Sequence, residues 1–303
     1  MSIASRGGTS RTLARIAALL LLPFEAHSSM LYYIQHGERL DNHLLFMYKP
    51  IIETLKHLKP SLFVYNNQVN VSTIPPNSTF VWVGIHNVHQ VPWQKIRSLG
   101  VKTVYYQTEP VERCFLTKAV VDEMWDYSWH NINNCKRMRG LHSKKKPLIR
   151  YIPVAYQAWT PSVVPTVSHK TIDFFGHPKW RDSCYKQIDM GWRTRTIQRV
   201  WNETAFEKYI GGSHGIFINI NKGCRNFGPL PPRISLLLST KGVVVSTRCH
   251  ENDENMFKEF VLFVDNITYI PPSMVEDHIR SRDIGKFSVK FKADTILRNA
   301  GLL

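Results

Sequence analysis

Between Gly211 and Asp265 the chain alternates short apolar runs with loops rich in glycine, proline and amides. Ile216-Phe-Ile-Asn219 is one run, Val243-Val-Val-Ser246 a second and Phe260-Val-Leu-Phe-Val-Asp265 a third. Arg233-Ile-Ser-Leu-Leu-Leu-Ser-Thr-Lys-Gly242, a compact helix pattern, stands between the first and second. Strands without a polar alternation have no solvent face, so they belong inside a parallel sheet covered on both sides. Such a sheet binds ligands in the loops at the carboxyl ends of its strands. Here those loops carry Asn219, Asn221, Lys222, Arg225 and Arg233, and no Asp or Glu occurs between Lys208 and His250. A strand-end surface with amides and cations and no acids suits a phosphorylated ligand.

The same alternation runs upstream. Strands are expected at 31–34, 61–65, 79–85, 101–106, 124–128 and 148–154, with helices over 40–58, 93–99, 114–123 and 131–139. Residues 158–170 are rich in Pro, Ser, Thr and Val and aperiodic, which marks a linker. A second α/β unit opens at Thr171-Ile-Asp-Phe-Phe-Gly176 and continues with a helix over 182–191. The reading is α/β, with two Rossmann-like doubly wound domains, 30–157 and 171–303, the second ending in a helical segment that packs back on the body.

The 303 residues carry a net charge of +16. Nucleic acid, an anionic membrane surface or a phosphate-bearing substrate would each account for it. No nucleic-acid module accompanies the charge, so nucleic acid is not an expected partner. Lys144-Lys145-Lys146 reads as a solvated loop. The five cysteines include no Cys-x-x-Cys pair, and their odd number leaves at least one thiol free. Residues 1–29 look like an appended address: Arg6, Arg11 and Arg15 precede an apolar run, Ile16 to Phe24, too short for an ordinary membrane span. They fit a signal peptide, with a transit peptide to an organelle as the rival. Asn70-Val-Ser, Asn77-Ser-Thr, Asn202-Glu-Thr and Asn266-Ile-Thr are N-glycan sequons. Together these features lean toward the secretory pathway or Golgi, the alternative being the cytoplasm or an organelle.

An ordered set of short segments carries a family resemblance. Val104-Tyr-Tyr-Gln107-Thr-Glu109 closes a strand, and Trp125-Asp126-Tyr127-Ser128 with Asn131 resembles a "WDYS…N" segment. Ile152-Pro153-Val-Ala-Tyr156 is similar to "P-x-G-Y" before a linker, and Asp173-Phe-Phe-Gly176 with Arg181 to "FYG…R". Ile218-Asn219-Ile-Asn221, Arg233-Ile and Val244-Val245-Ser246 follow in the same order. The set, spanning about residues 30 to 270, resembles the short, two-domain GT-B glycosyltransferases of the group 1-like kind. That resemblance implies two domains facing across a cleft, a nucleotide-sugar donor held mainly by the second, and a glycan, protein or lipid acceptor approaching from the first. It also implies no metal and no cofactor, and the chain has no Asp-x-Asp metal motif of the GT-A kind.

Without a metal, the leaving diphosphate must be met by Arg, Lys and backbone N–H groups. Gly176, Lys179, Arg181, Asn219, Asn221, Arg233 and Ser246 are therefore the donor-side residues expected from the segments above. A surface position at a helix start for Arg181 and loop capping for Asn219 and Asn221 are the plain alternatives. Glu109 and His86, at strand ends of the first domain, are the candidate general bases. Asp126 reads as a structural acid bonding backbone N–H groups, and Trp125, Trp129, Tyr105 and Tyr106 as core. One departure stands out. The resemblance implies a glutamate near the 233–239 helix, or just after the Val-Val-Ser strand, that holds the donor, and neither place has one. Glu251, Asp253 and Glu254 are the nearest substitutes, and Glu251 is the third catalytic candidate. The alternative is an inactive relative that binds a nucleotide or glycan without turnover.

Overall fold

The structure, a computed structural model, describes residues 31–36, 45–66, 68–84, 87–109, 121–138, 147–157, 161–175, 188, 191–197, 203–221 and 232–303. Leu31–Leu303 forms one compact unit. The signal-like extension lies outside the described residues, as do His86, Gly176, Lys179 and Arg181.

Two all-parallel sheets build the unit. The first has six strands: β1 (Tyr32–His36), β2 (Ser61–Tyr65), β3 (Thr79–Val83), β4 (Lys102–Gln107), β5 (Glu123–Asp126) and β6 (Leu148–Tyr151), in the order β2-β1-β3-β4-β5-β6. The second has five: β7 (Thr171–Phe175), β8 (Arg193–Ile197), β9 (Ile216–Asn219), β10 (Val243–Thr247) and β11 (Val261–Val264), in the order β11-β10-β9-β7-β8. In each sheet the chain steps outward once, returns, and crosses to the far side of its first strand. That is the doubly wound order, and it puts the topological switch point between β1 and β3 in one sheet and between β7 and β9 in the other. The central strands β3 and β10 are buried along their whole length, as their unbroken apolar runs require.

Among the described helices are α1 (Leu45–Leu55), α2 (Trp93–Arg97), α3 (Trp129–Met138), α4 (Glu203–Gly211), α5 (Arg233–Ser239), α6 (Glu251–Phe257), α7 (Pro272–Ser281), α8 (Ile284–Lys290) and α9 (Ala293–Asn299). The 114–123 helix was expected to end at Glu123, but Glu123 opens β5, paired with Val104 and Leu148. Strand β8 and helices α4 and α6 are additional: β8 reads Arg-Thr-Arg-Thr-Ile and lies at a half-exposed sheet edge, so it has no apolar run to announce it, and α6 occupies what reads as a polar loop.

One hydrophobic cluster draws on both sheets, from Ile34, Val81 and Tyr106 to Phe217, Val244 and Phe260. The helical end of the chain packs back on the body, α7 on β10 of the second sheet and the last helix on the first half. Helix α9 packs on α1. Asp294 Oδ1 meets His57 Nδ1 at 2.6 Å, and Arg150 donates to the Ala300 carbonyl at 2.5 Å.

Candidate functional site

In the second sheet, Asn219 is the last residue of β9 and Ser246 its register partner on β10. Both are fully buried. Ser246 Oγ donates to the Thr247 carbonyl at 2.9 Å. Asn219 Nδ2 donates to Ser246 Oγ at 2.9 Å, and Asn219 Oδ1 accepts from an Arg233 guanidinium nitrogen at 2.9 Å. The hydroxyl fixes which way the amide points, and the amide oxygen accepts from the half-buried Arg233 at the carboxyl end of β9. Asn221 is buried too, and its Nδ2 donates to the Arg248 carbonyl at 3.1 Å, joining the loops after β9 and β10. The structure thus brings Asn219, Asn221, Arg233 and Ser246 together.

Helix α5 follows at once, and every residue from Ile234 to Ser239 is buried. Its polar face is spent on the chain segment that joins the halves. Ser235 Oγ donates to the Val154 carbonyl at 3.1 Å, and Ser239 Oγ accepts the Gln157 N–H at 3.0 Å. Ser235 and Ser239 are thus committed to the connecting segment.

The substitutes resolve differently from one another. Asp253 caps α3 from across the seam: its carboxylate accepts Ser128 Oγ at 2.7 Å and the Trp129 N–H at 2.9 Å. Glu254 accepts from Arg248 at 3.0 Å and from the Cys249 N–H at 2.8 Å. Both are committed to structure. Glu251 is exposed in the first turn of α6, where an acid complements the positive end of the helix.

In the first sheet, Glu109 is half-buried just past β4. Its carbonyl accepts from Gln107 Nε2 at 2.7 Å and Asn131 Nδ2 at 3.0 Å, which sets its backbone at the strand end. Asp126 Oδ1 accepts the Ser128 N–H at 2.9 Å and Asn131 Nδ2 at 3.2 Å, the structural role expected of it. Burial, and to a lesser degree the Asp253 charge, raises the Asp126 carboxyl well above the usual range, against the pull of those bonds. Burial raises Asp253 as well. Trp125, Tyr105 and Tyr106 are core, as expected, and the half-buried Trp129 stacks on Tyr151 with ring centroids 4.9 Å apart.

The carboxyl ends of the two sheets meet at β5 and β10. Besides the Asp253 bonds, Asn133 Nδ2 and His250 Nε2 lie 3.0 Å apart. A cavity of about 10 Å³ remains beside this seam, between Tyr127 and Pro153 of the first half and Ser235 and Asp253 of the second.

Sequence reasoning missed a further signal. Among the described residues, Thr108 Oγ1, Asp126 Oδ2, Tyr151 OH and Thr247 Oγ1 are buried without a hydrogen-bond partner. Each residue ends its strand or directly follows the end. Buried polar atoms without partners are rare in folded proteins, and their gathering at the carboxyl edge of both sheets makes that edge the candidate site.

No protein-family model and no curated protein matches the chain. Among solved structures it is similar to the T4 phage β-glucosyltransferase, at 10% identity over 90% of this chain and 96% of that one, with a TM-score of 0.46. It is also similar to a UDP-forming α,α-trehalose-phosphate synthase from Burkholderia xenovorans, at 9% identity over 90% and 96%, TM-score 0.44, and to a trehalose-6-phosphate synthase, at 11% over 98% and 92%, TM-score 0.43. The two strand orders are those of doubly wound parallel sheets, the α/β fold class that the sequence leads one to expect.

Proposed function

We propose that the protein is a glycosyltransferase that moves a sugar from a nucleotide-sugar donor to a glycan, protein or lipid acceptor without a metal. The observation that carries this is Arg233 held at the carboxyl end of β9 through Asn219 and Ser246. A doubly wound sheet binds its ligand there, and a guanidinium matches phosphate oxygens in a bidentate fashion. The acid-free stretch between Lys208 and His250 supports an anionic ligand at the same loops. In the simplest form of the reaction, an acceptor oxygen attacks the anomeric carbon and its proton passes to Glu109. The bond from that carbon to the diphosphate breaks, its electron pair staying on the phosphate, and Arg233 stabilises that charge.

A panel of nucleotide sugars tests the reading. Arg233→Ala is expected to lower kcat/KM by about 100-fold. Glu109→Gln is expected to abolish turnover while donor binding persists. If the intact chain binds no nucleotide, the reading is wrong. The absence of an acid on α5 favours a second reading, a silent nucleotide- or glycan-binding relative. Binding without turnover across the panel would establish it.

The address belongs with this proposal. Cys135 is disulfide-bonded, and Asn70, Asn77 and Asn266 are exposed, so the secretory pathway suits both. The positive charge would also favour an anionic membrane surface.

A further inference from the structure

We propose that Asn70 and Asn266 carry N-linked glycans and that Asn77, a sequon in the same loop as Asn70, does not. The proposal rests on the secretory address given above and is independent of the sugar-transfer reaction.

At both sites the fold engages one half of the amide and leaves the other half open. Asn70 lies in the loop after β2, and its Oδ1 accepts the Ser72 N–H at 3.2 Å and the Ser72 hydroxyl at 2.7 Å. Asn266 lies just past β11, and its Oδ1 accepts the Thr268 N–H at 2.8 Å and the Thr268 hydroxyl at 2.7 Å. The Asn and its hydroxyl residue are exposed in each sequon. Both turns are anchored from below: Thr73 Oγ1 lies 3.0 Å from the Tyr33 hydroxyl, and Ile267 and Ile270 are buried on either side of Thr268. Among the described residues no hydrogen bond engages Nδ2 of Asn70 or Asn266, the nitrogen that would bear the sugar. Asn77 differs. Its backbone is left-handed, at φ 57°, and its sequon hydroxyl belongs to Thr79, the first residue of β3, which is 2% exposed. Pairing of β3 draws that hydroxyl inside, away from an enzyme that must read it. In the transfer, Nδ2 attacks C1 of a lipid-diphosphate-linked oligosaccharide. The N–C1 bond forms, the bond from C1 to the diphosphate breaks with its electron pair staying on the phosphate, and Nδ2 loses one proton. The neighbouring strands β2 and β11 are both sheet edges. A bulky, hydrated group beside an open edge hinders its pairing with another chain. The disulfide at Cys135 fits the oxidising compartment in which this modification is made.

The test expresses the full chain in a eukaryotic cell line and purifies it from cells and medium together. An amidase that releases N-glycans converts each glycan-bearing Asn to Asp, and peptide mass spectrometry reads the positions. Asn70 and Asn266 are expected to be converted and Asn77 to remain Asn. Ser72→Ala and Thr268→Ala are each expected to remove one glycan, a single step in gel mobility, with Tm unchanged once the glycans of wild type and variant are removed. Each variant loses the sequon hydroxyl but keeps the backbone N–H that holds the Asn side chain. If Asn77 is converted as completely as Asn70 and Asn266, the two turns do not select the sites and the proposal is wrong. It is also wrong if either Asn70 or Asn266 stays unconverted. The state of Cys135 in the same material separates the causes. With no glycan and Cys135 disulfide-bonded, the proposal falls and the address stands. With no glycan and Cys135 reduced, both fall. The nucleotide-sugar panel decides the transfer reaction in either case.

Discussion

Glu123 and Asp126 open and close one strand, both are buried, and their carboxyls are driven in opposite directions. Burial raises each. At Glu123 it is outweighed by bonds from Arg150 at 3.0 Å, Lys102 at 2.6 Å and Trp125 at 3.0 Å, which together bring the carboxyl down to about 2. Asp126 has amide partners and no cation, so burial wins and the carboxyl is raised. The signs of the two pH dependences follow. Glu123 contributes stability that is fully present above the ordinary glutamate value of 4.5 and is lost as pH falls toward about 2. Glu123→Gln should therefore cost about 3 kcal/mol at neutral pH, with the deficit closing over that acid window in urea titrations. Asp126 loses stability as pH rises from the ordinary aspartate range through its own raised value. Asp126→Asn keeps an acceptor for Ser128 and Asn131 and removes the ionisation. It should match or exceed wild type in thermal stability at pH 8, with the gain shrinking toward pH 5. An equal loss at both pH values would mean that ionisation at this site does not set the stability.

The elements that could be read in advance were those whose environment leaves a mark in local sequence. β9, β10 and β11 are covered on both faces or nearly so, which forces apolar runs. Edge strand β8 has one neighbour and a half-exposed polar sequence, and its Arg195 is held by Asp173 from β7, a partner no local pattern shows. The site divides in the same way. Asn219, Ser246 and Arg233 stand out as strand-end and helix-start residues, but their bonds to one another arise only when β9 and β10 are in register. Asp253 reads as a loop acid near the missing glutamate. Its true partner, Ser128, is 125 residues away. The turn from α5 into β10 offers a test at this scale. A Cβ on Gly242 would lie 2.2 Å from Cε2 of Phe217, a fully buried ring. Gly242→Ala should thus cost about 2 kcal/mol by overpacking, seen as a lower urea midpoint with an unchanged slope. A neutral result would mean that the Phe217 ring can move aside.

At the scale of the whole molecule, the two sheets share one hydrophobic cluster, and the last helix of the chain packs on the first. Leu297, fully buried on α9, follows the second sheet in sequence but belongs to that shared cluster. Around it, α9 is tied to the first half by the Asp294–His57 contact and the Arg150 bond to Ala300, and Arg150 also holds Glu123. A cavity at Leu297 should therefore be felt in both halves. Leu297→Ala is expected to cost about 3 kcal/mol. If the halves unfold together, the slowest-exchanging amides of β3 and of β10 will accelerate by the same factor in the variant. If only the β10 amides accelerate, α9 stabilises the half it follows in sequence and the shared cluster does not couple the two. If only the β3 amides do, α9 is part of the first half and the sheets open independently. Equal acceleration has a consequence for the site. With the halves joined by a common core, the contacts of Asp253 with Ser128 and Trp129 are ones that can be exchanged between the halves without exposing apolar surface.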